Sequence, residues 1–390
     1  MRAYKIVIIV IALTMILACS SNSKTKKPQV VEKTPMVLAE ETVVEATSAF
    51  ESGEYAAAIE KYKTAISYYE QAKVSAAVPD SINNLIYTMN KNIANVHLVH
   101  AQDLVKQELY DDALLEYEST ISAFDAIKEG STPADSLDEK ILTLYKNTAF
   151  VSRQVFDSEK ALYYYDKYLA ARPGDTQIMM QKFFVYKDDL KNEAQAYEIL
   201  KTYALAQNDF DSSHSLGDYY RDKNDLVNAI WWYEKADSIK ADENVLQKLG
   251  SIYRQRKQWE KSNNALKKFL TLNPDPDQIK TTFKLIGDNY MQLKNKPNAV
   301  EYFEKYIEFE YAENIALYIC AYYNDIKNNT KALAWANRIL QNNPVQSDAL
   351  FIRATIRYNT KDLKGAKADF EKLVNDAKYG KYAQQYLKSM

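Results

Sequence analysis

The feature that most constrains this 390-residue chain is a short pattern that returns. Leu216-Gly217-x-x-Tyr220, Leu249-Gly250-x-x-Tyr253 and Ile286-Gly287-x-x-Tyr290 share one arrangement, with their glycines 33 and 37 residues apart. Twelve residues after each glycine stands another small residue: Ala229, Ser262 or Ala299. A large apolar residue, a small one and an aromatic at i, i+1 and i+4 share one face of a helix. The small residue lets a second helix approach closely, and Ala229, Tyr233 and Ala236 supply the facing stripe at i, i+4 and i+7. A period near 34 with this interior describes stacked helix-turn-helix units, not one globular core.

The template runs on in both directions. Its first small residue falls at positions 46, 101, 149, 184, 217, 250, 287, 320 and 354. The spacings are 55 and 48 at first and 33 to 37 thereafter. Phe184, followed by Ala196 and Leu200, makes a degenerate unit with a bulky residue where a small one belongs. Ala332 and Ala366 mark second helices near the C-terminus. Pro173, Pro274 and Pro344 close units, because proline fixes φ, lacks an N–H and pushes the preceding residue out of the helical region. Glycines number only 8 and prolines 9, which leaves little room for strand-and-turn architecture.

These positions resemble the tetratricopeptide (TPR) repeat family, well over residues 140–376 and loosely over 40–135. The resemblance implies an all-α fold, an α-solenoid (a right-handed superhelix) of about nine TPR-like helix-turn-helix repeats. The regular array is expected over 136–376, irregular hairpins over 40–135, with longer helices or loops near Pro79 and Gly130 to Pro133, and a capping helix over 377–390. Gly217, Gly250, Gly287, Ala229, Ala299, Ala332 and Ala366 are its packing positions.

The N-terminus carries a second signal. Arg2 and Lys5 precede an apolar run from Ile6 to Leu17, and Ala18-Cys19 follows. A basic start, a short apolar stretch and a small residue describe a secretory signal, too short for the roughly 20 residues that span a bilayer. Cysteine directly after the small residue resembles the bacterial lipobox. That implies a signal peptide over 1–18, acylation of Cys19, and a lipid anchor in a bacterial cell envelope, at the outer membrane facing the periplasm. Residues 19–39 read as a flexible polar tether.

Chemistry is scarce. No phosphate loop, nucleophile elbow or zinc-protease motif occurs, so an enzyme is not expected. His97 and His100 stand one helical turn apart but lack a third ligand, and neither metal nor cofactor is expected. The net charge is −2, or −4 without Arg2 and Lys5, which is no footprint for nucleic acid. Cys320 sits at a small-residue packing position and reads as a buried, inert thiol. Most of the 31 tyrosines fall on packing stripes.

What remains is surface. In the family, ligands usually bind the concave face formed by first helices. Carried over, that face holds His214, Asp218, Arg221 and Asp222, then Gln247, Ser251, Arg254 and Gln255. Lys284, Asp288, Met291 and Gln292 follow, then Asn324 and Asp325, and finally Phe351 and Tyr358. The face lacks the Lys/Asn combination of members that clamp a C-terminal carboxylate. The expected function is a membrane-anchored scaffold or adaptor for protein partners in an envelope-assembly or secretion complex. The alternative is a glycan- or nutrient-binding lipoprotein of the same build.

Overall fold

In the computed structural model, residues 33–74, 79–128 and 137–390 are described, and among them every regular element is helical. The expected signal peptide, Cys19, most of the tether and the loop from Gly130 to Pro133 lie outside the described residues.

The chain divides into two units, Met1–Val151 and Ser152–Met390. The first contains α1 (Pro35–Glu51), α2 (Tyr55–Lys73), α3 (Pro79–Lys106), α4 (Tyr110–Lys128) and most of α5 (Leu137–Gln154). The tether is shorter than the sequence suggested, since α1 starts at Pro35 and not beyond residue 39. Thr34 caps it by accepting from the Val37 N–H, and Pro35 follows at the first helical position, where its missing N–H costs nothing.

The second unit runs from α6 (Ser158–Ala171) and α7 (Thr176–Phe184) to α8 (Glu193–Gln207), α9 (Phe210–Asp222) and α10 (Leu226–Ile239). It continues with α11 (Glu243–Gln255), α12 (Trp259–Leu270), α13 (Pro276–Gln292) and α14 (Lys296–Ile307). It ends with α15 (Glu313–Asp325), α16 (Asn329–Asn342), α17 (Ser347–Asn359), α18 (Leu363–Leu373) and the cap α19 (Gly380–Lys388). Within each unit, helices pack on their sequence neighbours, the arrangement of an α-solenoid.

The small residues sit where helices touch. Ala46, Ala101, Ala149, Cys320 and Ala354 are fully buried, as are Ala229, Ser262, Ala299, Ala332 and Ala366 on second helices. A methyl group added at Gly217 would lie 2.5 Å from the Tyr233 ring, and one at Gly287 would lie 2.5 Å from the Phe303 ring. Only glycine permits those approaches.

Eight of the nine first helices among the described residues end in one recurring turn, α7 being the exception. Residues 53, 108, 156, 224, 257, 294, 327 and 361 have positive φ, and each stands seven places after the small residue of its unit. The N–H of the next residue reaches five residues back, as Asp225 does to Tyr220 and Gln258 to Tyr253, both at 2.8 Å. This is the Schellman cap, which satisfies carbonyls left open at a helix end. Gly53 alone is the residue expected there. Asp157, Asn192, Asp225, Asn295, Asn328 and Asp362 then cap the second helices.

The unit assigned to Phe184 departs from the template. Phe183 is buried at 5% exposure, while Phe184 is 36% exposed. A π turn over Val185–Asp189 follows, and Asn192 N–H reaches six residues back to Tyr186. One extra residue is absorbed there, so the packing position belongs to Phe183.

Candidate interaction face

First helices α11 and α13 flank a cavity of about 490 Å³ in the second unit. Gln247, Ser251 and Arg254 of α11 line one wall, and Gln278, Thr281 and Leu285 of α13 the other. Leu266 of α12 also lines it. The lining is amides, hydroxyls and aliphatic carbon with one guanidinium, Arg254, and one carboxylate, Asp277, and it offers both donors and acceptors.

Arg254 is fixed in this wall. Its NH1 donates to the Leu285 carbonyl at 2.9 Å and to Asn289 Oδ1 at 2.5 Å. Asn289, fully buried, donates through Nδ2 to Ser262 Oγ at 3.0 Å and Asn263 Oδ1 at 2.8 Å. Ser262 in turn donates to the Gly250 carbonyl at 2.9 Å. Three helices are thereby tied through polar atoms where neighbouring units use apolar packing. Asp288 is half-buried nearby, and burial pushes its carboxyl up despite the attraction of Arg254 and Lys284.

A second cluster centres on Asp218. Its Oδ1 accepts from Lys248 Nζ at 2.6 Å and Tyr233 OH at 2.6 Å, and Arg221 NH1 stands 2.9 Å away. His214 Nε2 lies 3.4 Å from Asp218 Oδ2 and 2.9 Å from Lys248 Nζ. Burial pushes the Asp218 carboxyl up, but the Lys248 and Tyr233 hydrogen bonds outweigh it and hold it below the usual range. Burial and the Asp218 bond push the Tyr233 phenol well above its ordinary value. With two cations against one carboxylate, the cluster holds His214, Asp218 and Arg221 in place but spends most of their hydrogen-bonding capacity internally.

The remaining face candidates scatter. Asp222, Gln255, Lys284, Met291 and Gln292 are exposed, Asn324 is half-buried, and Asp325 pairs with Lys296 at 3.5 Å. Phe351 and Tyr358 are covered by the C-terminal cap. Phe351 stacks on Tyr379 at 4.2 Å, Tyr358 meets Tyr386 edge-on at 5.0 Å, and its OH lies 3.2 Å from Ser389 Oγ. Thr281, Gln278 and Lys248 were not foreseen, because their roles depend on a neighbouring unit more than 25 residues away in sequence.

Several tyrosines do double duty. Tyr253 OH donates to Glu234 and Tyr323 OH donates to Glu304 at 2.9 Å, each reaching the second helix of the preceding unit. In the first unit, His97 Nδ1 and His100 Nδ1 share the Glu116 carboxylate at 2.6 and 3.2 Å. No group of three or more potential ligands is placed to hold a metal among the described residues, and no helix there is long and apolar enough to cross a membrane.

Tetratricopeptide-repeat family models match residues 244–276, 285–312 and 348–377. No curated protein matches the chain. Among solved structures, the MamA protein is 22% identical over 44% of this chain and 96% of its own, with a TM-score of 0.30. YrrB, described as a TPR protein with an unusual peptide-binding site, is 14% identical over 48% of this chain and 99% of its own, with a TM-score of 0.33. Pseudomonas aeruginosa pilF is 17% identical over 56% of this chain and 100% of its own, with a TM-score of 0.29.

Proposed function

We propose that this chain, an array of tetratricopeptide repeats, is a scaffold that holds a protein partner through an extended segment laid against α11 and α13. Such repeats typically mediate protein–protein interactions. The observation that carries the reading is the cavity beside Arg254. A buried polar network holds Arg254 in its wall, so that guanidinium meets a ligand without first being ordered. Gln247 and Ser251 suit the N–H and C=O groups of a peptide backbone, with Gln278 Nε2 left as a donor and Thr281 Oγ1, which donates to the Asp277 carbonyl at 2.9 Å, left as an acceptor. The apolar Leu266 and Leu285 suit a side chain of that peptide.

The partner is proposed to sit in a bacterial envelope, with the chain anchored through acylated Cys19 and a tether ending at Thr34. Support for this comes from the sequence of residues 1–19. The anchor is tested by fatty-acid labelling of the expressed chain, which Cys19→Ser should abolish.

The site is tested by selecting peptides from a random library on the full chain. Ser251→Arg and Thr281→Arg, both at exposed positions, should weaken the selected peptides by tenfold or more (about 1.4 kcal/mol), with unchanged helicity. Peptides that bind the variants and the native chain equally would remove the cavity from the function. Arg254 is a poor choice for this test, because its loss would also open the network around Asn289.

A further inference from the structure

The left-handed residue of the turn within each unit is lysine in four consecutive units: Lys257, Lys294, Lys327 and Lys361. All four are exposed, and no carboxylate among the described residues lies within ion-pair distance of them. Arg256, Lys296, Lys331 and Lys364 flank them, also exposed, against three exposed carboxylates in the same turns, Glu260, Asp325 and Asp362, of which Asp325 pairs with Lys296.

Successive turns are neighbours in space. Arg153 meets Asp189 at 2.6 Å, Lys223 meets Glu193 at 3.2 Å and Lys296 meets Asp325 at 3.5 Å, each pair joining one turn to the next. These pairs join the turns near 156, 190 and 224 and those near 294 and 327, and the stacking of successive helices carries the same edge through Lys257 and on to Lys361. Apolar side chains stand in the same row: Phe156 is 92% exposed, Ile326 52%, and Leu190 and Leu363 42% each. Phe156 is the sharpest case. It holds φ at 61°, where a bulky side chain is unfavourable, and it presents nearly its whole ring to solvent.

A basic edge on a chain of net charge −2 calls for an anionic partner. Nucleic acid is read by repeated stacking platforms and guanidinium forks, and this row offers one of each, Phe156 and Arg256, against many ammonium groups. Ammonium groups on flexible stems, interspersed with aliphatic and aromatic tips, are suited to an interface of charged headgroups over hydrocarbon. We propose that this edge docks on an anionic lipid surface. The inference does not require acylation of Cys19.

The test is co-sedimentation of the full chain carrying Cys19→Ser with vesicles of phosphatidylcholine, alone or mixed with phosphatidylglycerol. Residues 6–17 are present in every variant, so the readout is the increment that phosphatidylglycerol adds. The variant K257N/K294N/K327N/K361N keeps the turns, since Asn208, Asn224 and Asn273 already hold φ of 52°, 59° and 58°. Each lysine near an anionic surface contributes about 1 kcal/mol, or roughly fivefold, so the increment should fall by a hundredfold or more. High salt should erase it as well. K240Q/K372Q/K381Q/K388Q removes the same charge from elsewhere in the unit and should leave the increment nearly unchanged. Phe156→Asn should weaken binding to the mixed vesicles without lowering thermal stability. An absent increment in the native chain, or equal losses in the two quadruple variants, would overturn the proposal.

Discussion

Replacing Gly217 with alanine sets two effects against each other. Alanine is the better helix former by about 1 kcal/mol. The new methyl, however, would lie 2.5 Å from Tyr233 Cδ1 and Cε1 and 2.9 Å from Cγ. Normal carbon contacts are about 3.5–4.0 Å, so α9 and α10 must separate by roughly 1 Å or the ring must turn. The ring is fully buried, and its OH is held 2.6 Å from Asp218 Oδ1, so turning it also breaks that bond. Overpacking of this kind costs about 1–3 kcal/mol, and a lost hydrogen bond roughly 1 kcal/mol more. The net expectation is destabilisation by about 1–3 kcal/mol, after the helix gain is subtracted. Gly250→Ala should cost less, since its methyl would meet the Leu266 side chain at 2.7 Å rather than a tethered ring. Gly174→Ala, with nothing within 4 Å, is the control. Hydrogen exchange read by mass spectrometry is the assay. Protection should fall in α9, α10 and α11 and persist in α15 to α18, because each pair is stabilised mainly by its neighbours. A Gly217→Ala chain as stable as the native one would refute the close-approach account, and uniform loosening would refute the linear array.

Three further outcomes follow from buried groups. Burial pushes the Cys320 thiol up to about 12, so with Cys19→Ser the native chain should resist alkylation at neutral pH and react only on unfolding, as read by mass shift. Asp369, 3% exposed, accepts from Arg353 at 2.6 and 2.8 Å and from Arg357 at 2.9 Å. Asp369→Ala leaves Arg353 without a carboxylate, while Arg357 keeps Asp362 at 3.6 Å, and should cost about 3 kcal/mol in denaturant titrations, with α17 and α18 lost first. The Asp218 carboxyl is held below its ordinary 3.8, so its stabilisation is present above that value and lost as pH falls through the lower folded one. Asp218→Asn should therefore lower the melting temperature at neutral pH and flatten its decline on the acid side.

Why some of this was legible and some was not can be seen residue by residue. Gly217, Gly250 and Gly287 are readable because helix-on-helix contact within one unit needs a small residue at a fixed offset, whatever surrounds it. The tyrosines read as core for the same reason, although Tyr253 and Tyr323 also bind carboxylates on the preceding unit, which no periodicity records. Phe184 was misplaced by one residue. Two adjacent phenylalanines give the template no way to choose, and the extra residue in the π turn changes the count only in three dimensions. Phe351 and Tyr358 fit the open face by register, yet Tyr379 and Tyr386 cover them, because α19 folds back where the template expects an open surface.

By itself, the sequence determined the repeat, its period, the all-helical class and the small residues at which helices meet. These rest on interactions inside one unit of about 34 residues, where chain distance and spatial distance agree. Tertiary structure alone decided the rest: the cavity between α11 and α13, the network from Arg254 to Asn263, and the row of left-handed lysines. Each is formed by residues from separate units, and their meeting depends on how one unit is set against the next. The lysines carry no turn signal of their own. Lys257, Lys294, Lys327 and Lys361 occupy a conformation that glycine would announce in a sequence, and they hold it because the Schellman hydrogen bonds and the packed helices on either side impose it.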